Sequence, residues 1–381
     1  MSGDPEQEYF SDGITEDIIT ELSRFRELHV VARNSSFTFK GEAVDIKEVG
    51  RKLGVDYVVE GSVRKAGKRI RVTVQLIDAS DGNHIWAERY DRDLDDLFEV
   101  QDEISRTIVG ALPQRLRGAM VEGTYRKPSQ NLSAYDHYLR GRWLMENTAT
   151  PGQPEVYAWF EKAIAIDPRC AHAFACIGWQ LAYSQFNFAR SADDLVSRAR
   201  ENLKRALEFG DGDPTIHGMA ADAFTCLGDN EVALLQGSRA MALNPNDIQA
   251  MFGYGLAMTY GGRPQEAIEF LKRANDLDPQ AAGFLLENVA ECHYVLGDYQ
   301  SAADIYLQWN SMPPHGFANL AACHAQLGQN KQMAAAVAAY ELASPEDADF
   351  ASYADAQANM CARPEDAEHW RDGFRKAGFP V

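Results

Sequence analysis

The sequence predicts two modules: a small α+β domain with a mainly antiparallel sheet, then an all-α superhelix of repeated helix pairs. Two observations carry this. From Val55 the apolar period is two: Val55, Tyr57, Val59 and Val63, then Ile70, Val72, Val74 and Leu76, alternate with polar neighbours. Beyond Ser133 the pattern is helical, and Pro245, Pro279, Pro314 and Pro345 recur at steps of 34, 35 and 31 residues. Gly228, Gly262, Gly297 and Gly328 keep the same step, as an array of stacked units requires.

In chain order, Ser11-Asp12-Gly13 precedes an amphipathic helix, Ile14 to Phe25, with Ile14, Ile18, Ile19 and Leu22 on one face. Glu16 and Asp17 lie in its first turn, where the helix dipole favours them. His29 to Ala32 is expected as a short strand, and Asp45 as the cap of a second helix that stops at Gly54. Ala66-Gly67 turns the hairpin, and Asp81-Gly82-Asn83 leads into a third strand, Ile85 to Tyr90. A long helix is predicted over Leu97 to Met120, with Pro113 kinking or ending it. Residues 1–120 therefore form the first domain and the polar 121–132 a linker. Residues 133–348 form about six helix pairs. Residues 349–381 form a capping pair, in which Trp370 and Phe374 close the last exposed face.

Within the unit from Ile248 to Pro279, small residues (Gly255, Ala267, Ala274) alternate with large ones (Tyr254, Met258, Phe270, Leu271) before Asp278-Pro279 stops it. Two helices can then approach closely, but neither buries its apolar stripe alone. This placing resembles the tetratricopeptide repeat, so the expected second module is a tetratricopeptide-type superhelix. In that family the first helix of each pair lines a concave groove. By resemblance the exposed groove positions are Trp179, Asp222, Thr225, Gln249, Phe252, Thr259, Glu287, Glu291 and Tyr294. Carboxylates beside aromatics suit a protein or peptide carrying basic residues. The alternative is an idle groove that serves as a spacer.

Several strings in residues 2–104 resemble the TolB amino-terminal-like domain: SGDPEQEYFSDGITEDIITELSRF, ARNSSFTFKG, GVDYVVEGSVRKAGKRIRVTVQLIDASDGNHIWAERYDRDL and QDEI. In bacterial multidomain regulators that domain sits between an output domain, often a class III adenylate/guanylate cyclase, and tetratricopeptide repeats. The resemblance implies a non-catalytic relay from a superhelical scaffold to an output domain. Family members usually enter this domain through an apolar strand ending in Pro-Phe, whereas this chain starts after it. The expectation is a sheet with an unpaired edge and a chain that is a fragment, a shortened frame or half of a split protein. Regulation of a separate cyclase is the second functional reading.

Net charge is −19, and both parts are acidic: residues 1–120 hold 17 Lys/Arg against 23 Asp/Glu, the remainder 20 against 33. That argues against nucleic acid or an anionic membrane as the main partner. No secretory signal or membrane-length apolar run is visible, and the six cysteines lie in helical patterns, so a reducing cytoplasmic setting is expected. No phosphate-binding loop, cofactor motif or set of convergent acid, base and nucleophile is seen, so no catalytic residue is assigned. Asp91, Asp93, Asp95 and Asp96 lack the Gly and closing Glu of a calcium loop. Cys292-His293 and Cys323-His324 fall at equivalent repeat positions, and adjacent helical residues point about 100° apart, which favours packing over metal. Arg64, Lys65, Lys68, Arg69 and Arg71 form a basic hairpin tip whose charges discourage edge pairing.

Overall fold

A computed structural model describes residues 8–24, 28–42, 44–111, 131–147, 154–184, 193–277, 284–309, 312–344 and 350–381. The first module comprises α1 (Glu8–Ser23), α2 (Arg33–Phe37), α3 (Ile46–Leu53), β1 (Tyr57–Ala66), β2 (Arg69–Asp78), β3 (His84–Asp93) and α4 (Leu97–Ala111). Its sheet is antiparallel in the order β1-β2-β3, with a register shift at Leu76/Ile77. The strict period in β2 decides which side is covered: Ile70, Val72, Val74 and Leu76 are buried while Arg69, Arg71 and Thr73 are exposed. Phe10 and Ile14 of α1 and Leu97, Val100 and Ile104 of α4 share the core with that inner face. Asp45 accepts from the Lys47 amide and Gly54 takes the left-handed cap (φ 66°), as the sequence indicates.

Two expectations change here, and a third falls on residues outside the described ones. His29 to Ala32 is not a strand: it runs without a ladder partner and enters α2, a short helix not anticipated. Helix α1 begins at Glu8 rather than Ile14, so Ser11-Asp12-Gly13 lies in its interior. Gly13 is there for proximity, since a Cβ on it would overlap the Leu139 side chain. The end of the long helix beyond Ala111, with Pro113, and most of the 121–132 linker lie outside the described residues.

The second module is a run of helix pairs: α5 (Leu132–Asn147) with α6 (Pro154–Ile166), α7 (Ala171–Tyr183) with α8 (Asp193–Phe209), and α9 (Pro214–Cys226) with α10 (Asn230–Leu243). It continues with α11 (Ile248–Tyr260) and α12 (Pro264–Leu277), α13 (Phe284–Val295) and α14 (Tyr299–Tyr306), and α15 (Pro314–Gln326) and α16 (Asn330–Ala343). Finally come α17 (Phe350–Met360) and α18 (Pro364–Ala377). Asp213 and Asp247 cap α9 and α11 by accepting from their first amides. Gly218 and Gly253 bring α9 and α11 backbone to backbone, since a Cβ on Gly253 would overlap the Gly218 carbonyl. The first helices are buried almost throughout, whereas second helices such as α10 and α16 keep exposed outer faces. Each buried Leu, such as Leu203 and Leu271, contributes roughly 1.5–3 kcal/mol by leaving water.

The two modules share one core through α1. Phe10, Ile14 and Leu22 join Tyr135, Tyr138 and Leu139 of α5. Around that seam, Tyr135 donates to Asp17 Oδ2 at 2.5 Å, Tyr9 donates to Asp136 Oδ1 at 2.6 Å, and Arg142 pairs with Glu16 at 2.8 Å. At the far end of α1, Asn244 Nδ2 donates to Ser23 Oγ at 3.0 Å. So α1 is held at both the first and the third helix pair.

Candidate functional site

Residues gathered on the inner side of the superhelix fall into two sets. One set centres on Asp222 of α9. Trp179 Nε1 donates to its Oδ2 at 2.6 Å and the Tyr183 hydroxyl to its Oδ1 at 2.8 Å, with the two rings 4.4 Å apart. Asp222 has no accessible surface, and burial pushes its carboxyl up to about 7 against those two bonds. Trp179 and Tyr183 themselves are half-buried.

The second set lies further along, on α13. Glu287 pairs with His315 Nε2 at 3.0 Å. Burial opposes the imidazolium, and the adjacent Glu287 carboxylate outweighs it, so His315 is held above its ordinary value. Glu291 is buried and accepts from Gln357 Nε2 at 3.3 Å; the same amide donates to the Tyr260 hydroxyl at 2.6 Å. Burial, then the Glu287 charge, raises Glu291 to about 8 while bonds from Tyr260 and Gln357 work the other way.

Gln357 belongs to α17, and this corrects the reading of an open groove. The α17/α18 hairpin packs on the last pair, with Phe350 and Phe379 against Tyr340 of α16, and it also reaches back across inner helices. Helix α17 packs against α9, and α18 against α15 and α13. The Ala362 amide donates to the Tyr260 carbonyl at 2.8 Å, and Asn230 Nδ2 donates to the Met360 carbonyl at 3.0 Å. Tyr353 donates to Asn319 Oδ1 at 3.1 Å. Trp370 stacks on Tyr294, and Gly373 lets α18 come this close, because a Cβ there would overlap the Tyr294 hydroxyl.

Five of the nine groove positions expected to be exposed are therefore buried: Asp222, Thr225, Thr259, Glu291 and Tyr294. Thr225 and Thr259 turn their hydroxyls back to the carbonyls of Ala221 and Gly255, at 2.8 and 2.9 Å, and the Thr259 hydroxyl also lies 3.0 Å from Cys292 Sγ of α13. Trp179, Gln249, Phe252 and Glu287 are half-buried. Trp179 meets Asp222 directly, whereas Gln249 and Phe252 sit in the first half of α11, away from the hairpin's bonds at Tyr260. Sequence reasoning missed Tyr183, Tyr260, His315 and Gln357. One signal was available: Phe350, Tyr353, Trp370, Phe374 and Phe379 are more aromatic surface than an end cap needs.

The other candidates resolve into structural roles. Cys292 and Cys323 are buried, and their neighbours His293 and His324 bond Asp298 and Gln329 at the start of the following helix, at 3.1 and 2.7 Å. Among the described residues no group of His, Cys, Asp and Glu is placed to hold a metal. At the basic hairpin, Arg71 pairs with Asp91 at 2.6 Å and Lys65 reaches Asp136 at 3.5 Å. No described helix is long and apolar enough to cross a membrane.

Comparison with known proteins adds three findings. Residues 4–107 match the family model of the HilA/YgeH-like transcriptional regulator, second domain, where the sequence reading named a TolB amino-terminal-like domain. The chain is 43% identical over 219 residues, 57% of its length, to putative adenylate cyclase 3 of Rhizobium meliloti (strain 1021). It is 24% identical over 295 residues, 72% of its length, to tetratricopeptide repeat protein 37 of Xenopus laevis. It spans 37% and 18% of those two proteins. Among solved structures, the human IFIT1 dimer with m7Gppp-AAAA is similar in fold, with a TM-score of 0.50 at 13% identity over 76% of this chain and 66% of that one. The second module is a tetratricopeptide-type superhelix following a small three-stranded antiparallel domain.

Proposed function

We propose that the chain is a non-catalytic interaction scaffold that binds a protein or peptide on the inner face of its superhelix and relays that state through α1. The observation that carries the reading is that a helix hairpin already lies on this face, held by aromatic stacking and side-chain hydrogen bonds. A surface with that chemistry recognises helices. The half-buried Trp179, Glu287 and His315 leave an acidic, aromatic margin for a partner with basic residues. The output would be a separate domain, and the domain at residues 1–120, TolB amino-terminal-like by sequence resemblance, would be the relay.

A second reading makes the chain the regulatory part of an adenylate or guanylate cyclase, without catalysis of its own. The likeness to a protein named putative adenylate cyclase 3 favours it. Parallel pull-downs with the wild-type chain and Glu287→Lys, both checked for helix content, test the two readings together. A partner retained by the wild type and lost by the charge reversal supports the inner face, and a cyclase domain in that partner supports the second reading. Partners held equally by both baits overturn the inner-face assignment.

A further inference from the structure

We infer that α17/α18 is a displaceable internal ligand, and that the partner it stands in for is an amphipathic helix with aromatic residues four apart, as Trp370 and Phe374 are. The inference rests on reading the inner face as a helix-binding surface. Trp370 and Phe374 lie one helical turn apart and both are fully buried. Trp370 sits on Tyr294 at 3.9 Å, and Phe374 packs edge-on to Phe350 at 5.2 Å. Trp370 is thus the anchor set on inner helix α13 and Phe374, one turn on, braces it from within the hairpin; an aromatic anchor of this kind is how a docked helix is recognised.

The polar layer under the hairpin is incomplete, which is what makes displacement feasible. Trp370 Nε1, Tyr306 Oη and Asn319 Nδ2 are buried without a hydrogen-bond partner, and those three side chains are at most 1% exposed. Beside them Glu291 keeps a buried carboxyl. Each orphan is a penalty the docked hairpin carries and the released one does not. An incoming helix that offers acceptors to Tyr306 and Asn319 would satisfy donors that the hairpin leaves unpaired. Opening would expose Tyr294 and Glu291 together, recreating the aromatic and acidic groove that the sequence suggests.

The test uses the full chain in two measurements. In native-state hydrogen exchange of the wild type, amides of α17 and α18 are expected to exchange about tenfold or more faster than those of α9 and α11, by an opening that leaves the superhelix folded. With a fluorescein-labelled peptide of residues 364–379 as probe, Trp370→Ala is expected to bind about tenfold or more tighter than wild type, because the competing internal helix is weakened. Adding Tyr294→Ala should abolish that binding. Exchange of the hairpin in step with α11, or equal peptide binding by wild type and variant, overturns the inference. A pull-down that finds no partner sensitive to Glu287 would remove the scaffold reading while leaving the opening visible in exchange, so the two failures are distinguishable.

Discussion

The indole of Trp370 lies 3.9 Å above the ring of Tyr294, at 15° from parallel, and neither side chain has accessible surface. Two rings from residues 76 positions apart in sequence thus fix the hairpin to α13. Removing one leaves a void that the surrounding Phe374 and Tyr294 cannot fill. Trp370→Ala should cost about 3–5 kcal/mol, read as a lower urea midpoint by circular dichroism. Trp370→Phe should recover most of it by keeping a ring in place. Equal losses in both variants would mean that the stack is incidental.

Close approach at Gly373 makes a sharper claim. A Cβ there meets the Tyr294 hydroxyl, which itself donates to the His369 carbonyl at 3.2 Å. Gly373→Ala is expected to destabilise by about 1–3 kcal/mol through overpacking. Tyr294→Phe removes the obstructing oxygen and forfeits one hydrogen bond, about 1 kcal/mol. In a double-mutant cycle the pair should cost less than the sum of the two single changes. Strict additivity would show that the oxygen is not what excludes a side chain at position 373.

The fold was legible where periodicity is local, and the groove was not legible where contacts are distant. Alternation from Ile70 to Leu76 places β2, and the recurring Gly and Pro place the helix pairs, because each signal acts within a few residues. Gly13 fell outside the expected helix for the opposite reason: only Leu139, far along the chain, explains it as a packing residue inside α1. The groove positions were inferred by analogy with the repeat family, and the structure sets Tyr294 against Trp370 of α18. What that reading lacked was the return of α17 and α18 over α9, α11 and α13, a long-range placement that no periodicity encodes.

The seam between the two modules offers a test of the relay. Tyr135 donates to Asp17 at 2.5 Å and Gln101 adds a second bond at 3.1 Å. Burial raises Asp17 to about 6, and those bonds favour its charged form. Tyr135→Phe should therefore cost about 1–3 kcal/mol where Asp17 is ionised. The loss should be larger at pH 8 than at pH 5, where the proton already neutralises the carboxylate. Unfolding midpoints of wild type and variant at both pH values check this, and a loss independent of pH would assign the effect to packing alone.

Glu291 predicts a pH dependence of the docked hairpin with a definite sign. Its carboxyl meets Glu287 from the same helix, Tyr260 from α11 and Gln357 from α17, and its pKa stands at about 8 against an ordinary 4.5. The folded chain therefore holds a proton that the unfolded chain releases, and stability falls as pH rises between those values. The contribution is fully present below about 4.5 and is lost as pH rises through about 8. Asp222, at about 7, acts in the same direction. In Glu291→Gln the side chain is neutral at every pH, so the drop in midpoint from pH 5 to pH 9 should be smaller than in wild type. The same change should slow hydrogen exchange of α17 at pH 9 relative to wild type. Parallel pH profiles for the two proteins would show that Glu291 is ionised in the docked state, and that the hairpin tolerates a buried charge at its centre.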